Sequence, residues 1–424
     1  AQTPTWSSDI ACLVYNKCAK CHNDNGVAPF PLLHYDDIYP LRDIVRQVVN
    51  EGIMPPWPPA AGLVPLHNDR SLSPEQVQLI NDWVDAGAPF GDPQAIPAPP
   101  TFDNPEVIPD PDLVVQLPEN TSQATTEDEY RCFVLPSNLA QDMFVTGYEV
   151  VPGNRSIVHH VLVFQDPSNQ PILNDQADPG PGYLCFGGVG SDQAELVGGW
   201  VPGSQGTFFP ENMGVRLEAN TNIVVQLHYP AGTAGQTDDT KINFKLTANP
   251  GTREVRVTPF LNHVTSIVNG PLYIPANTVR TFREEFLIPH SWISITLLGA
   301  APHMHLIGRS IRTWAELPGG DTLHLMDIPE WDFEWQGFYA FKDLVLLPGG
   351  SKLVAEATYD NTPNNPHNPN DPPQDVWVGE ATTDEMMLVY FPWVFSLPGD
   401  GSITFDDDPP FDCSELISSS SSPT

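Results

Sequence analysis

Cys18-Ala19-Lys20-Cys21-His22 reads C-x-x-C-H, the attachment pattern of a c-type haem. Two thiols at this spacing form thioethers to the two haem vinyls, while the adjacent imidazole reaches the iron. From this composition roughly 0.002 such matches are expected by chance. A redox dithiol or half of a zinc site is the alternative, but no second C-x-x-C accompanies it. Met54 is the natural second axial ligand: Ile53-Met54-Pro55-Pro56-Trp57 is a stiff segment, and Met/His ligation raises the haem potential, which suits electron transfer. His34 and His67 are its rivals.

Further on, histidines recur in chemically suggestive contexts: Val158-His159-His160, Leu227-His228-Tyr229 and His303-Met304-His305. Along a strand, His303 and His305 lie on one face, with Met304 pointing away. Adjacent His159 and His160 would face opposite sides, so sharing one metal needs a bulge or a strand end. Each pair alone also fits buried histidines satisfied by hydrogen bonds. The others are His263, His290, His324 and His367.

The elements that must position these residues differ between the two regions. Residues 1–93 read as helical. Ser73-Pro74-Glu75-Gln76 gives an N-cap, a proline at the first helical position and a capping box. Val77, Ile80, Trp83 and Val84 continue at helical spacing to a stop at Gly87. Ile44, Val45, Val48 and Val49 mark a second amphipathic helix ending near Gly52. Residues 94–112 are Pro-rich and aperiodic, which predicts a semi-rigid linker. From 113 the pattern has period two, in short Val-, Ile- and aromatic-rich runs punctuated by Gly, Pro and Asn, the signature of β-sandwiches. About 300 residues of it predict two sandwiches, with no sequence repeat between them. The Asn- and Pro-rich stretch 361–373 reads as a solvated loop, and the acidic, Ser-rich tail 406–424 as disordered or a linker.

Residues 1–93, including SPEQVQLINDWVDAGAP, resemble small bacterial c-type cytochrome domains. Over about 113–400, the order of the three histidine motifs followed by Thr383-Asp384-Glu385-Met386 resembles the copper type II ascorbate-dependent monooxygenases, the family of peptidylglycine hydroxylating monooxygenase and dopamine β-monooxygenase. The resemblance implies two mononuclear coppers. His159, His160 and His228 would hold an electron-storing copper. His303, His305 and Met386 would hold the oxygen-binding copper, with Met387 as the neighbouring alternative to Met386. Imidazole suits copper, and a thioether favours Cu(I). Tyr390 matches a Tyr of the family's site. Ala301 and Leu388 stand where the peptide-amidating branch has an Arg and an Asn, so a carboxylate anchor is missing. The family also implies a Cys132–Cys185 disulfide. Cys12 and Cys413 are then left over, either free or bridging the tail to the cytochrome.

The expected fold is therefore multidomain: a small all-α cytochrome c domain (1–93), a linker (94–112), two mainly antiparallel, jelly-roll-like β-sandwiches (113–255 and 256–405) and a tail (406–424). The expected function is an exported copper monooxygenase that hydroxylates a C–H bond of a small organic substrate with O2. Its electrons would come from the fused haem, which an external redox protein or ascorbate-like reductant recharges. A secreted electron-transfer or copper-binding protein without hydroxylase activity is the alternative.

With 53 acidic and 18 basic side chains in 424 residues, the net charge is −35. Such a surface excludes nucleic acid as a partner. Residues 1–93 contribute 11 acidic and five basic residues, so most of the acidity lies beyond them. An acidic surface repels an anionic reductant such as ascorbate, which favours a donor within the chain. No 18-residue apolar run occurs. The chain starts at Ala1 without a leader pattern, and covalent haem attachment takes place outside the cytoplasm. Together these predict an exported protein from which a signal peptide has been removed, in the bacterial periplasm, at the cell surface or outside the cell.

Overall fold

The computed structural model describes residues 3–414 except 27, 103–106, 186–187, 202–203, 205, 380, 406 and 408. The expected disorder of 415–424 lies outside these residues. The chain divides into two compact units. The first comprises 1–57, 68–105 and 407–424, and the second 58–67 and 106–406.

The first unit is helical: α1 (Ala11–Lys17), α2 (Arg42–Asn50) and α3 (Pro74–Asp85). Ser73 Oγ accepts from Gln76 N, and Gln76 Oε1 accepts from Ser73 N, closing the capping box anticipated from the sequence. Ile80, Trp83 and Val84 of α3 join Trp6, Ile10 and Tyr15 in one core. The tail is not wholly loose: Phe411 sets its ring edge-on to Tyr15 at 5.8 Å, and Cys413 is bonded to Cys12.

In the second unit the chain is mostly β-sheet with few helices. Sixteen principal strands can be numbered in order. In the first half they are β1 (Leu113–Gln116), β2 (Glu129–Pro136), β3 (Met143–Val151), β4 (His160–Asp166), β5 (Glu195–Trp200), β6 (Met213–Leu217), β7 (Asn222–Tyr229) and β8 (Lys241–Thr247). In the second half they are β9 (Arg256–Asn262), β10 (Thr278–Leu287), β11 (Ser294–His303), β12 (Gly308–Glu316), β13 (Thr322–Ile328), β14 (Tyr339–Pro348), β15 (Lys352–Asn361) and β16 (Leu388–Phe395). One pair of sheets runs β1-β8-β3-β6 and β2-β7-β4-β5, and the other β9-β16-β11-β14 and β10-β15-β12-β13. The two halves thus share one winding that their sequences do not betray. Short strands extend the first pair, and two two-stranded ribbons stand apart. The jelly-roll-like expectation is corrected to this extent: the strands form separate small, almost wholly antiparallel sheets, not a closed roll.

Burial explains the sequence pattern. The central strand β7 is buried at every position but Asn222, so its apolar residues fall on both faces, whereas β15 alternates from Ala355 to Asn361. The core of the first half takes residues from both of its sheets and continues into Leu298, Leu344 and Val394 of the second.

Two boundaries and one loop differ from expectation. Segment 58–67 belongs with the second unit: Ala60 N donates to Asp327 O and His67 N to Ala340 O. Val107 and Ile108, expected in a free linker, donate their backbone N–H groups to the Glu149 carboxylate. The 361–373 loop is not simply solvated either. Asn361 is buried, its Nδ2 donating to Ile274 O and Gln374 O, and Asn368 Nδ2 donates to Asn361 Oδ1.

Candidate metal centres

His159 and His160 sit at a strand end, which removes the period-two objection. β4 begins at His160, and His159 follows a turn in which Ile157 N and Val158 N both donate to Asn154 O. His228 lies directly across the ladder from His160, and its carbonyl accepts from His159 N at 2.9 Å. The three Nδ1 atoms converge, 3.1 Å apart for His159–His228, 3.3 Å for His160–His228 and 3.4 Å for His159–His160. Nitrogens each about 2.0 Å from one ion, at tetrahedral to trigonal angles, stand about 3.3–3.5 Å apart, so the cluster fits a metal.

The surroundings hold these rings in a ligating state. His228 Nε2 lies 3.0 Å from Asp128 Oδ2, and the Tyr130 ring stacks on His228 at 4.3 Å. A carboxylate on the far nitrogen fixes the tautomer and leaves Nδ1 free for the metal. Burial, then the His228 imidazole, lowers the His159 pKa to about 4, and burial takes His160 well below its ordinary value. Both are neutral at neutral pH, as a metal-ligating imidazole must be.

In the second half, His303 ends β11 and His305 follows it, their ring centroids 5.1 Å apart. Met304 between them is fully buried. Here the nitrogen engaged with the protein is Nδ1, the reverse of His228. His303 Nδ1–H donates to Gln336 Oε1, and His305 Nδ1–H donates to the Asp384 carbonyl at 3.1 Å, so each Nε2 is left to ligate. Burial first, and then the neighbouring His305, holds His303 at about 3, and burial holds His305 at about 4.

Glu385 ties the methionine to this pair. Its buried carboxyl accepts from His305 N, Ile307 N and Met386 N. Burial raises its pKa to about 8, against the lowering effect of those N–H groups. Tyr359 Oη donates to Met386 O at 2.7 Å. Met386 shares strand parity with Leu388 and Tyr390, which pair with His303 and Ala301 respectively. Met387 shares parity with the core residues Val389 and Phe391, is fully buried, and is fixed by its backbone to His263. Alternation therefore favours Met386 as the site-facing methionine.

In the first unit, His22 Nδ1–H donates to Phe30 O at 3.1 Å, leaving Nε2 open, and Cys18 and Cys21 are partly exposed and take part in neither disulfide. Gly26 is required where it stands, because a Cβ there would meet Cys21 O at 1.9 Å. Phe30, 42 % exposed, sets its ring 4.8 Å from that of His22 and gives apolar surface beside the motif. These features fit a covalently held haem. Met54 lies in the turn after α2, its N donating to Val48 O. His34 is the N-cap of the short helix Tyr35–Ile38. His67 falls in the second unit, against Phe405, and so lies outside the haem-motif unit.

Sequence reasoning missed Asp128, Gln336 and Phe333, which belong to no motif. Glu385 was visible only as part of the context that selects Met386. The disulfides Cys132–Cys185 and Cys12–Cys413 are both present.

Comparison with known proteins supports the copper monooxygenase class. DBH-like monooxygenase protein 1 of Homo sapiens is 24 % identical over 252 residues, covering 56 % of this chain and 39 % of the relative. The Mus musculus protein of that name is 25 % identical over 353 residues, covering 76 % and 55 %. Dopamine beta-hydroxylase of Rattus norvegicus is 25 % identical over 263 residues, covering 57 % and 40 %. The chain thus spans from two-fifths to just over half the length of these relatives. No protein-family model matches it. The solved structure of PNGF-II overlaps at a TM-score of 0.29 and 8 % identity over 66 % of this chain and 64 % of that one, a likeness too slight to carry an argument.

Proposed function

We propose that this chain is an exported, copper-dependent monooxygenase that hydroxylates a C–H bond of a small organic substrate, with electrons relayed from a c-type haem in the same chain. The net reaction is R–H + O2 + 2 e⁻ + 2 H⁺ → R–OH + H2O, the electrons coming from an external redox protein or an ascorbate-like reductant. The observation that carries the reading is the pair of preorganised ligand sets: three Nδ1 atoms within 3.4 Å of one another, and the His303/His305/Met386 group joined by Glu385.

Copper, when bound, supplies one-electron storage at the first set and an O2-binding position at the second. The protein's part is to keep the imidazoles neutral and aimed. Asp128, Gln336 and the Asp384 carbonyl hold the protons of three of them on the non-ligating nitrogens. Glu385 and Tyr359 fix the backbone around Met386. In the first unit Cys18 and Cys21 would carry the thioethers and His22 and Met54 the iron, which supplies a reversible one-electron store. The two disulfides accord with export.

Metal analysis with electron paramagnetic resonance tests this reading: two coppers and one haem per chain are expected, and zinc or nothing at 303/305/386 defeats it. With the haem reduced and O2 added, haem reoxidation in the copper-loaded chain should be faster than in His303→Ala. Equal rates remove the relay. A second reading, an electron-transfer protein without hydroxylase activity, is favoured by Ala301, which faces Tyr390 without a charged anchor. Oxygen from isotope-labelled O2 in an organic product separates the two.

A further inference from the structure

The segment Trp331–Phe338, which leads up to β14, touches both ligand sets. The Phe333 ring stacks on His159 of the first set, centroids 5.4 Å apart and planes 19° from parallel, and meets His305 of the second edge-on at 6.0 Å. Gln336 Nε2 donates to Phe333 O at 2.8 Å while its Oε1 accepts from His303, so one amide links the Phe333 backbone to the second set. Trp331 Nε1 donates to His305 O at 3.2 Å. At the far end of the segment, Phe338 approaches Gly199 of β5 so closely that an added Cβ would lie 3.2 Å from its ring. A segment of the second half thus reaches the first half at two places, one of them a metal-ligand ring. Nothing in the copper ligand sets requires this, since each is complete without Phe333.

Resting on the copper reading above, we infer that Phe333 is a positioning residue that fixes the separation of the two copper centres and fills the space between one imidazole of each with an aromatic ring instead of water. Gln336 ties the Phe333 carbonyl to His303 and Trp331 holds the His305 carbonyl, so the half-buried ring stands on a backbone anchored to the second set and acts as a wedge of set thickness. Packing of this kind tolerates an isosteric ring and not its removal.

The test uses the full chain with Cu(II) alone as the probe. In the parent chain two bound Cu(II) ions should broaden each other's paramagnetic resonance spectra by dipolar coupling, relative to single-site His160→Ala and His303→Ala variants. Phe333→Ala should keep two coppers per chain and lose this broadening. Phe333→Tyr should restore it, and Phe333→Leu, which keeps apolar bulk for folding, should give an intermediate and broader distribution of couplings. Unchanged broadening in Phe333→Ala or Phe333→Leu, with both coppers bound, overturns the assignment. A parent chain that binds fewer than two coppers defeats the underlying reading, and this inference with it, before any variant is compared.

Discussion

At the scale of single residues, the groups that decide the proposed sites lie one hydrogen bond beyond the proposed ligands. Asp128 contributes nothing to a ligand count, yet it selects which nitrogen of His228 faces the cluster. Asp128→Asn should weaken Cu(I) binding at His159/His160/His228 about 10- to 100-fold in a competition titration, leaving the second site unchanged. Glu385→Ala strands three buried N–H groups at about 1–3 kcal/mol each. It should lower the melting temperature and release copper from the second site selectively. Glu284, by contrast, is fully buried with neither carboxyl oxygen hydrogen-bonded, and burial raises its pKa to about 9. An unfolded glutamate loses its proton near pH 4.5, so between these values only the folded chain holds it. Stability should therefore fall as pH rises from about 5 towards 9, and Glu284→Gln should flatten that slope in melting curves. Gly26→Ala should abolish covalent haem, read by alkaline pyridine absorbance, because the loop cannot close around a Cβ.

At the scale of elements, what could be read from the sequence was whatever is local. The capping box at Ser73 and Gln76 and the buried stripe Ile80, Trp83 and Val84 announce α3, because cap and period lie within one dozen residues. The H-x-H histidines could be expected near each other because two residues suffice to define a strand face, and their rings lie 5.1 Å apart. The His159–His160 pair could not be resolved, since its solution is a strand end set by the turn at Asn154. The common winding of the two halves is a property of pairing order, which apolar alternation does not encode. Phe333 and Gln336 stayed invisible because their meaning comes from His159 and His303, far away in sequence. Which imidazole nitrogen serves as ligand was hidden for the same reason: it depends on partners such as Asp128 and the Asp384 carbonyl. Ser73→Ala should cost about 1 kcal/mol, seen as a lower melting temperature of the helical unit alone.

At the scale of the whole molecule, charge is the dominant property. A net charge of −35 concentrates beyond residue 93 and sets how small redox partners approach. If ascorbate reduces the metal sites directly, its rate should climb with ionic strength as repulsion is screened, whereas a neutral reductant should show little salt dependence. A flat ascorbate profile would mean that the acidic groups stand away from the point of electron entry. The Cys12–Cys413 bridge acts on the same scale, joining residues 401 apart. It makes the chain between them a covalent ring, with the whole β-rich unit spliced into the helical one. A single protease cut anywhere in the β region should then leave one band on a non-reducing gel and two after reduction. The helical unit also cannot be finished until residue 413 has been made, so during synthesis its thiols at 18 and 21 stand ready while the partner of Cys12 is still hundreds of residues away.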